Sequence, residues 1–183
     1  MILEKEIIKE CACAQTGVYM KNEMELIFDA ISNNESFARV AVAAFVSPLN
    51  PTLEELADIK TAVSEAVTNA IIHGYENLYG YGRRGEVPLA YPTINSGKVR
   101  LHCILEGDVL HIEVEDKGKG IPDISQAMEP LFTTKPQLER SGMGFAFMEA
   151  FMDDLEVESE VNRGTIVRMK KKLGTGAWIG SED

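Results

Sequence analysis

The sequence predicts an α+β fold, a mixed and mainly antiparallel sheet with helices packed on one of its faces. Three observations lead there. Several segments alternate apolar and polar residues with a period of two, the mark of half-buried strands, and others repeat their apolar residues at helical spacing. Two pairs of alternating segments are joined by short turn-forming stretches, Gly107-Asp108 and Asn162-Arg163-Gly164, as antiparallel hairpins require. Strands and helices also follow one another without strict βαβ alternation and without an internal repeat. With 183 residues the chain has room for one domain plus small additions.

Taken in order, residues 1–19 lack a clear period and read as an N-terminal extension. Met24, Leu26 and Phe28 then alternate with Glu23, Glu25 and Asp29, predicting a strand. Asn33-Asn34 is positioned to cap a helix in which Phe37, Val40, Ala41, Ala44 and Phe45 form the apolar stripe, and Ser47-Pro48 stops it. Thr52-Leu-Glu-Glu55 reads as a capping box. It opens a long helix with Leu56, Ile59, Val63, Ala66, Val67 and Ala70 buried, ending near Tyr75. Residues 77–98, rich in Gly, Tyr and Pro, read as a loop or inserted excursion. Val99, Leu101, Cys103 and Leu105 pair with Leu110, Ile112 and Val114 in the first hairpin. Residues 116–141 read as loop. Residues 143–152, apolar nearly all round, predict a buried helix. The second hairpin joins Leu155–Glu160 to Thr165–Lys171, and residues 174–183 form a loose tail.

Composition excludes several function classes. No stretch reaches the roughly 18–20 apolar residues of a membrane span, and the N-terminus lacks the apolar core of a secretory signal. Three cysteines, with Cys11 and Cys13 too close for an easy bridge, argue for a reducing, cytoplasmic setting. The balance of 18 Lys plus Arg against 29 Asp plus Glu gives a net charge of −11 and leaves no basic footprint for nucleic acid or an anionic membrane.

Three local features carry candidate chemistry, and each has a plainer alternative. On the long helix, spacing of four puts Glu65, Asn69 and His73 on one ridge beside the apolar stripe. Asn is a mediocre helix former, so its place in mid-helix invites a reason beyond propensity. Its carboxamide oxygen can ligate Mg²⁺, and a carboxylate one turn earlier can take a proton from a nucleophile. The alternative is a solvated polar face ending in a His that the helix dipole favours. The second feature is Asp116-Lys-Gly118-Lys-Gly120. Asp116 falls in phase with Leu110, Ile112 and Val114, so the strand aims a carboxylate at its buried side. That is costly unless donors meet it, and an adenine amino group is such a donor. The two glycines would let the backbone approach a planar ring. The alternative is an ordinary Asp-x-Gly turn. The third is Ser141-Gly142-Met143-Gly144, leading into the apolar helix, where free N–H groups and the dipole make a phosphate site. Just before it, Thr133, Thr134, Lys135 and Arg140 are placed to fold over phosphates. The alternatives are a plain loop-to-helix joint and a solvated charged loop.

In that order along one chain, Glu-x3-Asn, Asp-x-Gly-x-Gly and Gly-x-Gly are far rarer than any one of them. The set resembles the GHKL (Bergerat-fold) ATP-binding family of gyrase, heat-shock chaperone, histidine kinase and mismatch-repair ATPases. Met20-Lys-Asn-Glu-Met, Asn34-Glu-Ser-Phe-Ala-Arg-Val, Glu65 through Tyr75, Pro130-Leu-Phe-Thr-Thr-Lys-Pro, Glu139-Arg-Ser-Gly-Met-Gly-Phe and Phe151-Met-Asp-Asp resemble the anti-sigma serine kinases of spore-forming bacteria within that family. The resemblance covers roughly Met20 to Lys172 except residues 80–97.

The resemblance implies a Bergerat ATP-binding kinase domain over residues 20–173, interrupted by an 80–97 inserted loop. It also makes the 1–19 extension consistent with an upstream start-site assignment. It implies a homodimer that binds ATP or ADP with Mg²⁺, holds off a sporulation sigma factor, and phosphorylates a serine of an anti-anti-sigma (STAS) protein. Under it Glu65 accepts the seryl proton or orients the hydroxyl, and Asn69 ligates Mg²⁺. Asp116 meets the adenine amine, Gly118 and Gly120 shape its pocket, and Thr165 assists on the adenine side. Ser141, Gly142, Met143 and Gly144 offer N–H groups to the phosphates, with Arg140 and Lys135 near the γ-phosphate and Thr133 and Thr134 in the same loop. An acidic surface suits a protein that meets the basic surfaces of a DNA-binding sigma factor. A general-stress kinase of the same fold, or a binding module without kinase activity, remains open.

Overall fold

Five strands form one antiparallel sheet in the order β1-β2-β3-β5-β4: β1 Lys21–Asp29, β2 Lys98–Glu106, β3 Val109–Asp116, β4 Asp154–Glu160 and β5 Gly164–Lys172. The structure, a computed structural model, describes residues 21–75, 97–129 and 143–174. The expectations for 1–19, for the insertion up to residue 96, for Thr133, Thr134, Lys135, Arg140, Ser141 and Gly142, and for the tail beyond Gly174 fall outside the described residues. The helices are α1 Asn33–Val46, α2 Leu53–Asn69, α3 Ile124–Ala127 and α4 Gly144–Phe151.

Period-two patterning sets the sheet's two faces. Val99, Leu101, Cys103 and Leu105 of β2 and Leu110, Ile112 and Val114 of β3 are buried beneath the helices. The opposite face carries a ladder of ion pairs. Arg100 of β2 bonds Glu25 of β1 at 2.5 Å and Glu113 of β3 at 2.7 Å, and Arg168 of β5 bonds Glu113 at 2.9 Å and Glu158 of β4 at 2.7 Å. These groups are half-exposed, so the ladder fixes cross-strand register more than it adds stability.

The buried side of α2 is Ile59, Ala62, Val63, Ala66 and Val67, close to the expected stripe. The capping box at its start is formed: Thr52 Oγ1 accepts from the Glu55 N–H at 3.1 Å, and Glu55 Oε2 accepts from the Thr52 N–H at 2.7 Å. Glu55 Oε1 also accepts from the Gly174 N–H at 2.7 Å, tying this helix start to the end of β5. These donors, the Thr52 N–H first, hold the Glu55 carboxyl below its usual range. Thr52→Ala is expected to cost about 1 kcal/mol in urea unfolding. An unchanged midpoint would show the box to be idle.

Four local expectations need correction. In α1 the buried residues are Ala38, Val42 and Val46, while Phe37 and Val40 are 54% and 61% exposed. Both faces of that helix carry apolar residues, and close packing on α2 selects the face with the small Ala38. Asn34 does not cap the helix: Ser32 is the N-cap residue, and Asn34 Nδ2 donates to the Asp29 carbonyl at 2.8 Å. In α4 only Met148 is fully buried, so this is a helix laid against α2 with one wet side. Within the expected 116–141 loop, Asp123 Oδ1 accepts from the Gln126 N–H at 2.9 Å and caps the single turn of α3.

Candidate nucleotide site

The long helix changes pitch where the candidate site begins. After Asn69 the backbone widens into a π-turn, Ala70–Gly74. Such turns frequently mark functional sites. The wider turn carries Gly74 against the end of β3, where a Cβ on Gly74 would lie 2.7 Å from Asp116 Oδ1. The next residue, Tyr75, is buried, and its hydroxyl bridges two elements. It donates to the Lys98 carbonyl at 2.6 Å and accepts from the Lys117 N–H at 2.8 Å. Helix end, strand β2 and the segment after β3 are thereby tied together.

Asp116 occupies the buried phase of β3 that its sequence parity predicts and is 5% exposed. Burial raises its pKa from an ordinary 3.8 to about 6, against the opposing effect of backbone donors from Gly118 and Thr165. The Gly118 N–H reaches Asp116 Oδ1 at 2.8 Å. The two glycines beyond it serve backbone contacts. Gly118 lies so close to the Gly74 carbonyl that a side chain would collide with it, and the Lys119 N–H donates to the same carbonyl at 2.9 Å. Gly120 has φ +69° and abuts the Glu160 backbone, a conformation and a clearance that favour glycine.

A cavity of about 500 Å³ opens between α2, the π-turn, the end of β3, residues 119–129 and the start of α4. Glu65, Asn69, Asp116, Gly120, Met143, Gly144 and Thr165 all line it; Gly118 does not, standing behind the wall. The first residue of α4 faces the long helix: a Cβ on Gly144 would lie 3.0 Å from Glu65 Oε2 and 3.3 Å from Asn69 Nδ2. One end of the cavity therefore joins a helix N-terminus to a carboxylate and a carboxamide. The other end presents the Asp116 carboxylate and the Thr165 hydroxyl. Polar groups at both ends of a largely apolar cleft fit an elongated ligand with an anionic end and a hydrogen-bonding ring.

Sequence reasoning left several lining residues unassigned. His73, on the ridge of Glu65 and Asn69, lines the cavity with them, a role that the helix dipole alone does not account for. Lys119, Ile121, Gln126 and Met128 also line it, from a segment without periodicity, so no pattern could assign their faces.

Comparison with known proteins gives the family and the fold. Residues 32–171 match the family described as histidine kinase-like ATPase domain. The anti-sigma F factor of Geobacillus kaustophilus (strain HTA426) is 57% identical over 154 residues, covering 84% of this chain and 94% of that protein. The anti-sigma F factor of Geobacillus stearothermophilus is 58% identical over 83% of this chain and 93% of its own. That of Bacillus subtilis (strain 168) is 52% identical over 84% and 94%. Among solved structures, the RsbU and RsbW domains of a Mycobacterium tuberculosis protein superpose with TM-score 0.53 at 20% identity, over 83% of this chain and 32% of that one, a likeness of fold. On the family match across most of its length and on relatives more than half identical along nearly all of theirs, the chain belongs to the histidine kinase-like ATPases and, within them, to the anti-sigma F factors.

Proposed function

We propose that this protein is a serine protein kinase and anti-sigma factor. It holds a sporulation sigma factor and, with Mg-ATP, phosphorylates a serine of an anti-anti-sigma partner of the STAS class. The observation that carries the reading is the meeting of Glu65, Asn69, Asp116, Gly144 and Thr165, drawn from four separate elements, around one cavity. The adenine ring lies toward Asp116 and Thr165, and the phosphates lie toward Met143, Gly144 and Asn69. Ser141, Gly142, Arg140, Lys135, Thr133 and Thr134 extend the phosphate end.

In phosphoryl transfer, positioning and charge neutralisation supply most of the rate. The seryl oxygen of the partner bonds to the γ-phosphorus as the bond to the β,γ-bridging oxygen breaks. ADP leaves, and the seryl proton passes to the Glu65 carboxylate. Among the described residues no group of three or more His, Cys, Asp or Glu forms a metal cage. The donor set here, one carboxamide beside a phosphate-binding helix start, suits Mg²⁺, which keeps several waters and takes few protein ligands. Bound there, the ion would neutralise phosphate charge, and Asn69 would hold it.

The protein's partner surfaces follow from charge and exposure. A net charge of −11 presents carboxylates to a basic sigma-factor surface. Strand β1 pairs only with β2 among the described residues, and α1 beside it exposes Phe37 and Val40. An open edge next to an apolar face fits a contact between two copies of the chain.

The deciding experiment incubates the protein with γ-labelled ATP, Mg²⁺ and a STAS-type partner. Label on a partner serine is expected. Nucleotide binding without transfer would reduce the protein to a nucleotide-dependent holder.

A further inference from the structure

Ser159 lies outside the cavity, yet its hydrogen bonds decide what one cavity wall can accept. It sits on β4 directly opposite Thr165 of β5. Three groups meet its hydroxyl: the Gly164 carbonyl at 2.9 Å, the Ile121 N–H at 2.8 Å and Thr165 Oγ1 at 2.9 Å. A serine hydroxyl owns one proton and two lone pairs. The carbonyl can only accept, so Ser159 donates its proton there. The amide can only donate, so it occupies one lone pair. The remaining lone pair takes the Thr165 hydroxyl proton. The opposite assignment would leave two lone-pair-bearing oxygens, Ser159 Oγ and the Gly164 carbonyl, facing each other without a proton.

Thr165 therefore spends its only proton away from the cavity and turns lone pairs toward it. Beside it the ionised Asp116 carboxylate also only accepts. The wall formed by these two residues asks for ligand donors and offers none.

We propose that Ser159 is a positioning residue for base selection: by consuming the Thr165 proton, it makes the wall acceptor-only and so favours a 6-aminopurine over a 6-oxopurine nucleotide. The inference rests on the nucleotide-site reading above and adds the device that selects the base. A 6-amino group supplies N–H to the wall. A 6-oxo group sets a carbonyl oxygen against carboxylate and hydroxyl oxygens, and an unpaired buried acceptor is penalised on each side. The Ile121 bond gives Ser159 a second effect, since it holds the segment Gly120–Ile121 that lines the same cavity.

The test uses the full chain, with ADP and IDP as probes, because their rings differ at the 6-position and its N1 neighbour while sugar and phosphates are identical. Wild type is expected to prefer ADP. Ser159→Ala frees the Thr165 proton to face a 6-oxo group, so the ADP:IDP affinity ratio should narrow by about tenfold or more. Ser159→Thr, which keeps the hydroxyl, should restore most of the ratio. Thr165→Val preserves the Ser159 bonds to Gly164 and Ile121, removes the relayed group, and should narrow the ratio as well. Thr165→Val remains informative should Ser159→Ala fold poorly. Combining the two substitutions should narrow the ratio no further than Thr165→Val alone. A ratio within twofold of wild type in Ser159→Ala, with both affinities falling together, would make Ser159 a structural brace and overturn the proposal, as would an unchanged ratio in Thr165→Val. Wild type that binds neither nucleotide would instead overturn the nucleotide-site reading.

Discussion

Asp116→Asn is expected to stabilise the nucleotide-free protein at pH 8 while removing nucleotide binding. In the fold, burial lifts the Asp116 pKa from 3.8 to about 6. Between those values the folded chain holds a proton that the unfolded chain releases, so stability falls as pH rises through that window. Above about pH 6 the fold carries the whole cost of an ionised, poorly solvated carboxylate, on the order of 3 kcal/mol for that difference in pKa. Asn cannot ionise, so the variant should gain about 1–3 kcal/mol at pH 8 in urea unfolding and little or nothing at pH 4. Binding moves the other way. The amide oxygen can keep the Gly118 N–H, but its N–H₂ then stands where the second carboxylate oxygen met the Thr165 N–H and would meet a 6-amino group, donor against donor. Turning the amide over sets the same clash against Gly118. A loss of ADP affinity of about 100-fold or more follows. The pairing of the two outcomes is diagnostic. A variant less stable at pH 8 would show that the carboxylate is satisfied by the protein itself, and the argument for a ligand donor at this wall would fail.

The same residue shows what the sequence makes legible. Strand parity alone put Asp116 on the buried face, and the capping box at Thr52 and both hairpin turns were equally local signals with local outcomes. The face of α1 was not legible, because hydrophobicity ranks Phe37 and Val40 above Ala38, while helix-on-helix packing rewards the smaller side chain. The π-turn after Asn69 has no composition signal either; it brings Gly74 to Asp116 and Tyr75 to Lys117, contacts formed by the fold as a whole. Gly118 and Gly120 were recognised as necessary for close approach, but the approach is of backbone to backbone. Ser159 belongs to no motif at all. Its hydroxyl meets Ile121, Gly164 and Thr165 at one point, and only the pairing of β4 with β5 was foreseeable. Several cavity-lining residues were therefore readable as spaced motifs, whereas the contacts behind the wall were not.

Glu65→Gln should abolish phosphoryl transfer and leave nucleotide binding intact, separating the kinase from the holder. Glu65 and Asn69 lie one turn apart on α2, and both approach the first residue of α4, where a Cβ on Gly144 would lie 3.0 Å from Glu65 Oε2. A carboxylate so near a helix N-terminus shares its space with the phosphates of any bound nucleotide, and like charges there oppose binding. The amide preserves size and shape, removes one negative charge and cannot accept the seryl proton. Transfer to the partner serine should thus fall by about 100-fold or more, the range set by losing a general base. ADP affinity should stay within about threefold or tighten, because the charge removed was repulsive. Glu65→Asp keeps the base but withdraws it by one methylene, so it should retain a measurable fraction of the rate. Capture of the sigma factor needs no proton transfer, and Glu65→Gln should bind it as wild type does in the presence of the same nucleotide. A loss of ADP affinity in this variant could not be electrostatic in origin. It would instead assign Glu65 to the packing of α2 on α4, and the proton acceptor would have to be sought among the other groups lining the cavity.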